Sequence, residues 1–227
     1  MKARGGWLVA TLVFVAVLLA AFGLDLWVVR RLETKSPELT ASQHHACVEL
    51  TVPRTLFFHP SHTWVRLDAD GRVTVGIDDL LRTMIGDLGS VDLPAVGDHL
   101  RAGNPALTVH SGSGSLPLAS PISGRVTEVN CRLGSDPARL RWQPYKEGWT
   151  LRLAPDDRLA TELASMVVGR DAERWMADET RRVDRLFERG LLDAPAAGAL
   201  ERAGSEGWSA FASEVLGTTG DHAGAGA

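Results

Sequence analysis

Lysine is nearly missing from this chain. Of its 24 basic residues only three (Lys2, Lys35 and Lys146) are lysines, and the other 21 are arginines. Chemistry that needs a primary amine therefore has almost nowhere to sit. Cysteine is scarce as well: Cys47 and Cys131 are too few for a disulfide scaffold or a four-cysteine zinc site. Nor does one sign of charge prevail. A net charge of −4 from 24 cations and 28 anions leaves no footprint for a polyanion, which excludes a dedicated nucleic-acid binder. What is present is a globular composition, 44% hydrophobic and 23% charged over 227 residues, with room for one or two domains.

Residues 7–29 read WLVATLVFVAVLLAAFGLDLWVV, with Asp25 the one charge. About 20 apolar residues span the hydrocarbon core of a bilayer, and Trp7 and Trp27 stand where interfacial aromatics belong. A run apolar on all faces argues against a buried core helix. A cleaved signal peptide is the rival reading, with Lys2 and Arg4 as its basic start and Ala21-Phe22-Gly23 as its cleavage site. Because apolar residues continue past that site through Leu24, Leu26 and Val29, an uncleaved single-pass anchor is expected, and with it the cell (inner) membrane. Arg30 and Arg31, hard against the span, tilt the positive-inside count toward a cytoplasmic C-terminal body.

Residues 31–53 read as a stalk broken by Pro37 and Pro53. His44, His45 and Cys47 lie in it, with His59 and His62 beyond. Imidazole and thiolate suit zinc or copper. Adjacent histidines point apart in an extended chain, however, and only one cysteine is near, so no metal site is expected. Pairing of Cys47 with Cys131 stays open.

From residue 54 to 154 the pattern is short alternating runs separated by turns. Residues 63–67 (TWVRL) and 72–77 (RVTVGI) flank the turn Asp68-Ala-Asp-Gly71 and read as a hairpin. Residues 78–85 (DDLLRTMI) carry apolar residues at helical spacing, with Asp78 as cap and Gly86 as stop. Ser111-Gly-Ser-Gly-Ser115 reads as a polar loop between strands. Small strands with glycine and proline turns predict a compact sandwich or barrel.

An ordered series of residues in this region resembles the H protein family of the glycine cleavage system. The series runs through His62-Thr-Trp64-Val-Arg, Val75-Gly76-Ile77, Gly86-Asp87, Leu93-Pro-Ala-Val-Gly97-Asp and Ala102-Gly103. It continues with Ser120-Pro-Ile-Ser-Gly124, Val129-Asn130, Asp136-Pro137 and Pro144-Tyr145-Lys-Glu-Gly148-Trp149. The resemblance implies a mainly β fold, the barrel-sandwich hybrid of lipoyl and biotinyl carrier domains. It also implies a hairpin tip like Glu-Ser-Val-Lys-Ala, whose lysine carries lipoate through an amide. Aligned without gaps, His110-Ser111-Gly112-Ser113-Gly114 covers that tip, and Ser113 takes the lysine's place. A hydroxyl cannot form the lipoyl amide, so lipoate is expected to be absent. Nothing marks Lys146 as a substitute. Ser113 has no histidine–carboxylate pair set beside it by the motif, which argues against a nucleophile, and His110 reads as a solvated strand-edge residue. Gly112 and Gly114 read as freedom for a turn.

Residues 155–216 predict a helical appendage. A first helix carries Leu159, Leu163, Met166 and Val167 on one face. A second is capped by Asp171 and stopped by Gly190, with a stripe of Trp175, Met176, Val183, Leu186 and Phe187 and an Asp178–Arg182 pair. A third, capped by Asp193, carries Leu200, Trp208, Phe211, Val215 and Leu216. Residues 217–227 are expected to be disordered. The whole is expected to be a transmembrane anchor (1–30), the stalk, an H-protein-like β domain (54–154) and C-terminal α-helices. The expected function is that of a membrane-anchored, non-lipoylated, non-catalytic scaffold or accessory subunit, binding protein partners in a membrane complex and no small-molecule substrate. Two alternatives remain: a lipoyl carrier shuttling the aminomethyl group in glycine cleavage, and a metal- or redox-handling membrane protein.

Overall fold

The computed structural model describes residues 50–112, 114–193 and 197–217. The chain divides into Met1–His44 and His45–Ala227, and every described residue belongs to the second unit. The expected anchor at 7–29, most of the stalk with His44, His45 and Cys47, Ser113 and nearly all of the C-terminal tail lie outside the described residues. The membrane expectation is corrected: among the described residues no helix is long and apolar enough to cross a membrane. An N-terminal transmembrane helix is therefore no part of the fold as described, and single-pass membrane localisation and a membrane-complex partner lose their support.

The strands are β1 (Phe57–His59), β2 (Thr63–Leu67), β3 (Val73–Ile77), β4 (Ser90–Asp92), β5 (His99–Leu100), β6 (Pro105–Ser111), β7 (Gly114–Ala119), β8 (Gly124–Val129), β9 (Trp149–Pro155) and β10 (Val167–Val168). The helices are α1 (Asp79–Ile85), α2 (Arg132–Ser135), α3 (Ala138–Trp142), α4 (Leu159–Ala164), α5 (Arg170–Glu188), α6 (Ala199–Arg202) and α7 (Ser205–Glu214). A seven-stranded sheet runs β10-β1-β2-β3-β9-β8-β5, and a three-stranded sheet runs β4-β6-β7. The fold is thus mainly β and sandwich-like, as the resemblance implies. Leu107, Val109, Leu116 and Leu118 of the small sheet join Val73, Val75, Ile77, Leu151 and Leu153 of the large one in a single buried cluster.

The predicted 63–77 hairpin is β2 and β3, paired from Thr63–Ile77 to Leu67–Val73. All five residues of β3 are buried, as suits a strand covered on both faces. At its end the Trp64 indole lies across Gly76, where an added Cβ would come within 2.5 Å of Cε2. The Trp64 Nε1 donates to the Ile77 carbonyl at 3.0 Å. Only glycine leaves room for that crossing. The predicted short helix is α1, with the Asp78 carboxylate accepting from the Leu81 N–H at 2.9 Å and Gly86 closing it at φ 76°.

The C-terminal third departs from its sequence pattern in three places. Val167 and Val168 are not helical; they pair with Phe58 and Phe57 as an edge strand. Gly169, not Asp171, precedes α5, and Asp178 pairs with Arg181 while Arg182 turns to Glu179. The third helix is two, α6 and α7, preceded by Gly198 and Gly204 rather than Asp193. These helices pack on the β domain itself: Ala199, Leu200, Trp208, Phe211 and Val215 are all buried in the common core.

Candidate functional site

Alternation decides which residues of the β6–β7 hairpin face inward. Leu107, Val109 and Ser111 are buried on β6, and Leu116 and Leu118 on β7. Pairing reaches the tip, with His110 opposite Ser115 and Ser111 opposite Gly114. The five-residue polar loop expected there is a tighter hairpin. Ser111 ends the inward series as a polar residue in a core position, and its hydroxyl finds the end of α1. Its Oγ lies 3.1 Å from the Ile85 carbonyl and 2.8 Å from that of Asp87. The Gly89 N–H donates to the His110 carbonyl at 2.9 Å. The hairpin tip is thereby sewn to the Gly86-Asp87 turn.

A third element covers both. The Gly198 N–H donates to the Thr83 carbonyl at 2.8 Å, and the Glu201 carboxylate accepts from the Asp87 N–H at 3.2 Å. A Cβ on Gly86 would overlap the Gly198 Cα and stand 2.8 Å from Glu201 Oε2. A Cβ on Gly112, itself at φ 55°, would stand 2.6 Å from the Glu201 carbonyl oxygen. A Cβ on Gly114 would fall inside the indole of Trp208, which is 6% exposed. Three glycines of the tip and turn are thus the contact points of α6 and α7. Sequence alone read the two hairpin glycines as turn freedom; the structure uses them for close approach.

His110 is half-exposed and its Nε2 is 2.8 Å from Asp92 Oδ2 on β4. The motif did not disclose this pair, which cross-strand register creates. At the surface such a pair contributes little. Lys146 is exposed in the loop after α3. The neighbouring Tyr145 hydroxyl accepts from the Asp79 N–H at 3.0 Å, at the start of α1, whereas the hairpin tip meets its end. A seven-residue helix is about 10 Å long, so the lysine and the tip sit at opposite ends of α1.

A second constellation lies under α5. His62, fully buried at φ 57°, sets Nδ1 2.7 Å from Asp78 Oδ2. Its Nε2 finds no hydrogen-bond partner among the described residues and stands 4.0 Å from Glu179 Oε2. The Trp175 ring packs 5.1 Å from the imidazole. Burial raises the Glu179 carboxyl above its ordinary value, against the opposing pull of His62 and Arg182. Glu179 was missed in the sequence. The signal was there: 172, 176, 179, 183 and 186 form one helical stripe, and an acid occupies its centre. His59 is held by Ser61, whose N–H donates to Nδ1 at 3.1 Å. Among the described residues no group of three or more His, Cys, Asp or Glu could hold a metal. Cys131 is exposed at the start of α2.

These observations describe a small β sandwich with a conspicuous hairpin sewn to a short helix. The family model of the glycine cleavage H-protein matches residues 56–179, more than half of the chain. The chain is 43% identical over 107 residues to the glycine cleavage system H protein of Xanthomonas campestris pv. campestris strain B100, covering 47% of this chain and 82% of that one. It is 42% identical over the same length and shares to that of Xanthomonas oryzae pv. oryzae strain PXO99A. Among solved structures it is similar to a glycine cleavage system H protein from Mycobacterium marinum, 33% identical, with a TM-score of 0.44, covering 46% of this chain and 86% of that one. The chain belongs to the glycine cleavage H-protein family.

The lipoyl group that this family implies needs an amine at the hairpin. Residues 105–119 contain no lysine, and the glycines on either side of position 113 are pressed by α6 and α7. The residues present do not fit the group.

Proposed function

We propose that this chain serves a glycine-cleavage-type carrier system as a subunit of H-protein fold that binds its protein partners without an arm on its own hairpin, and that it is not a catalyst. Family membership supports the system, and similarity to glycine cleavage H proteins backs a carrier role better than it does a membrane scaffold. One observation carries the departure from the carrier role: Ser113, between Gly112 and Gly114, stands where the family's resemblance puts the lipoyl lysine. A serine ester would be the only acyl linkage available there.

The full carrier role, shuttling an aminomethyl group on lipoate, is the second reading, and the 43% identity to glycine cleavage H proteins favours it. It requires an amine elsewhere, and Lys146 is the one described lysine. Expression of the full chain with a lipoate ligase and lipoate separates the two by intact mass. No increment is expected. A quantitative gain of about 188 Da, the mass added by one lipoyl amide, mapped to Lys146 would overturn the arm-free reading.

A further inference from the structure

An acid stands in the middle of the apolar stripe that seats α5. Glu179 is 3% exposed among Ala172, Met176, Val183 and Leu186, and its Oε2 faces the fully buried imidazole of His62 at 4.0 Å. A buried carboxylate is costly unless it is paired. Arg182 takes one side of it, 3.1 Å from Oε1, but that guanidinium is half-exposed. On the other side is His62 Nε2, which meets no hydrogen-bond partner among the described residues. The two buried groups face each other across a gap about 1 Å too long for a hydrogen bond.

The contacts fix the imidazole tautomer. Both oxygens of Asp78 act as acceptors, Oδ1 from the Leu81 N–H and Oδ2 from His62 Nδ1 at 2.7 Å, so Nδ1 carries a hydrogen. What stays variable is one proton between Nε2 and Glu179, and it belongs to the pair rather than to either residue. With it, an imidazolium lies between two carboxylates, or a carboxylic acid faces a bare nitrogen. Either way the charges of Asp78, His62, Glu179 and Arg182 cancel. Without it, a nitrogen lone pair faces a carboxylate, and one negative charge is left uncompensated under the helix. The other ionisable groups around the pair are His59 on the β1–β2 turn, Asp79 at the start of α1 with its partner Arg82, Tyr145 before β9, and Asp178 on α5. Burial holds the Glu179 carboxyl above its ordinary 4.5, the direction that keeps the proton. The Trp175 ring, 5.1 Å from the imidazole, favours the cation.

The ends of α5 allow it to move as one piece. Its 19 residues run between Gly169 at φ 64° and Gly190 at φ 70°, and a Cβ at either glycine would meet nothing within 4 Å. Such positions absorb a backbone rotation without a clash. The helix lies over Phe58, whose ring centroid is 6.3 Å from that of Trp175, and its end is joined to α7 by the Arg189–Glu214 pair.

We infer that His62 and Glu179 are a proton-operated latch: α5 seats on the β domain with one proton shared by the pair, and loosens between Gly169 and Gly190 when that proton leaves. The inference goes beyond the arm-free reading and does not depend on it. Seating takes up a proton, so α5 is held at the acid end and released as the pH rises.

Hydrogen exchange and imidazole NMR of the full chain test the latch from about pH 5 to about pH 9, a span that brackets shifted histidines. Protection of the α5 amides, corrected for the intrinsic pH dependence of exchange, should fall by up to about tenfold per pH unit, the limit for one proton. β3 and β9 should stay protected. The Nε2 nitrogen shift of His62 should follow the same curve. In Glu179→Gln the carboxamide keeps the size and offers Nε2 a donor at every pH, so α5 should stay protected throughout. Arg182→Gln removes the cation that competes for Glu179, and the transition should move to higher pH.

Protection of α5 that does not change with pH in the native chain overturns the latch, and so does an equal slope in Glu179→Gln. If that variant fails to fold, the native chain still decides: an Nε2 that titrates without loosening α5 refutes the shared proton. An Arg182→Gln transition at unchanged or lower pH refutes it as well.

Discussion

The Nδ1 of His62 lies 2.7 Å from Asp78 Oδ2, and neither side chain reaches solvent. The same carboxylate caps α1 through Oδ1, which accepts from the Leu81 N–H at 2.9 Å. The Asp78 N–H in turn donates to the His62 carbonyl at 2.9 Å. One acid therefore closes three joins: the β1–β2 turn, the start of the helix and the floor beneath α5. Asp78→Ala should cost about 2–4 kcal/mol, the sum of a lost cap and a buried imidazole left without its partner. Asp78→Asn keeps a cap acceptor and should cost about 1 kcal/mol. Urea denaturation of both variants checks the order; equal losses would show that the pair with His62 contributes nothing.

Stability should fall on the acid side through His59. Burial first, and the neighbouring His62 second, lower its pKa below the ordinary 6.5. A base with a depressed folded pKa contributes its stability above the unfolded value. Below 6.5 the unfolded chain takes up a proton that the folded chain refuses, and stability is lost as the pH falls toward the folded pKa. One such group limits the slope to about 1.4 kcal/mol per pH unit. The urea midpoint should therefore drop as the pH falls below the ordinary 6.5, and His59→Gln should flatten that limb. An unchanged slope in the variant would assign the acid sensitivity to another group.

Trp64 and Gly76 make a prediction that does not involve titration. Val75 and Gly76 sit at a bulge in the β3–β9 pairing, and Trp64, fully buried, fills the space a side chain at 76 would need. Gly76→Ala should cost about 2–4 kcal/mol, since a fully buried indole cannot step aside cheaply. Trp64→Phe in the same chain should recover part of that loss by freeing the space of the second ring. Thermal or urea unfolding of the single and double variants gives the coupling; simple additivity would mean the two residues do not meet.

Much of this fold was legible because its determinants are local. The alternation of TWVRL and RVTVGI gave β2 and β3 with their register, and Asp78 and Gly86 gave both ends of α1. The family resemblance rested on motifs that lie within the same short stretches. What was not legible depends on chain far away. Val167 carries helical spacing but is claimed by the open edge of β1. Asp178 pairs one residue short of the expected partner because Glu179 holds Arg182. Gly112 and Gly114 look like any flexible turn until residues about 90 positions later are seen to lie on them. The anchor expectation shows the opposite case, a strong local pattern in residues the structure does not describe.

Glu162 offers the clearest separation of charge from packing. Its carboxylate takes two donors from one residue, the Ser123 N–H at 2.8 Å and the Ser123 hydroxyl at 2.7 Å. The Ser123 Oγ accepts from the Ala102 N–H at 3.0 Å, and its carbonyl accepts from the Asp156 N–H at 3.0 Å. This serine, part of the Ser-Pro-Ile-Ser-Gly stretch before β8, thus joins the small-sheet return to α4. Glu162→Ala strands a buried N–H and hydroxyl and should cost about 2–4 kcal/mol. Glu162→Gln retains one acceptor oxygen, so it should cost about half of that, with exchange of the Ser123 amide still slow. If the glutamine and alanine variants unfold at the same denaturant concentration, the two bonds act only as an undivided carboxylate contact, and the placement of α4 owes nothing to the neutral geometry.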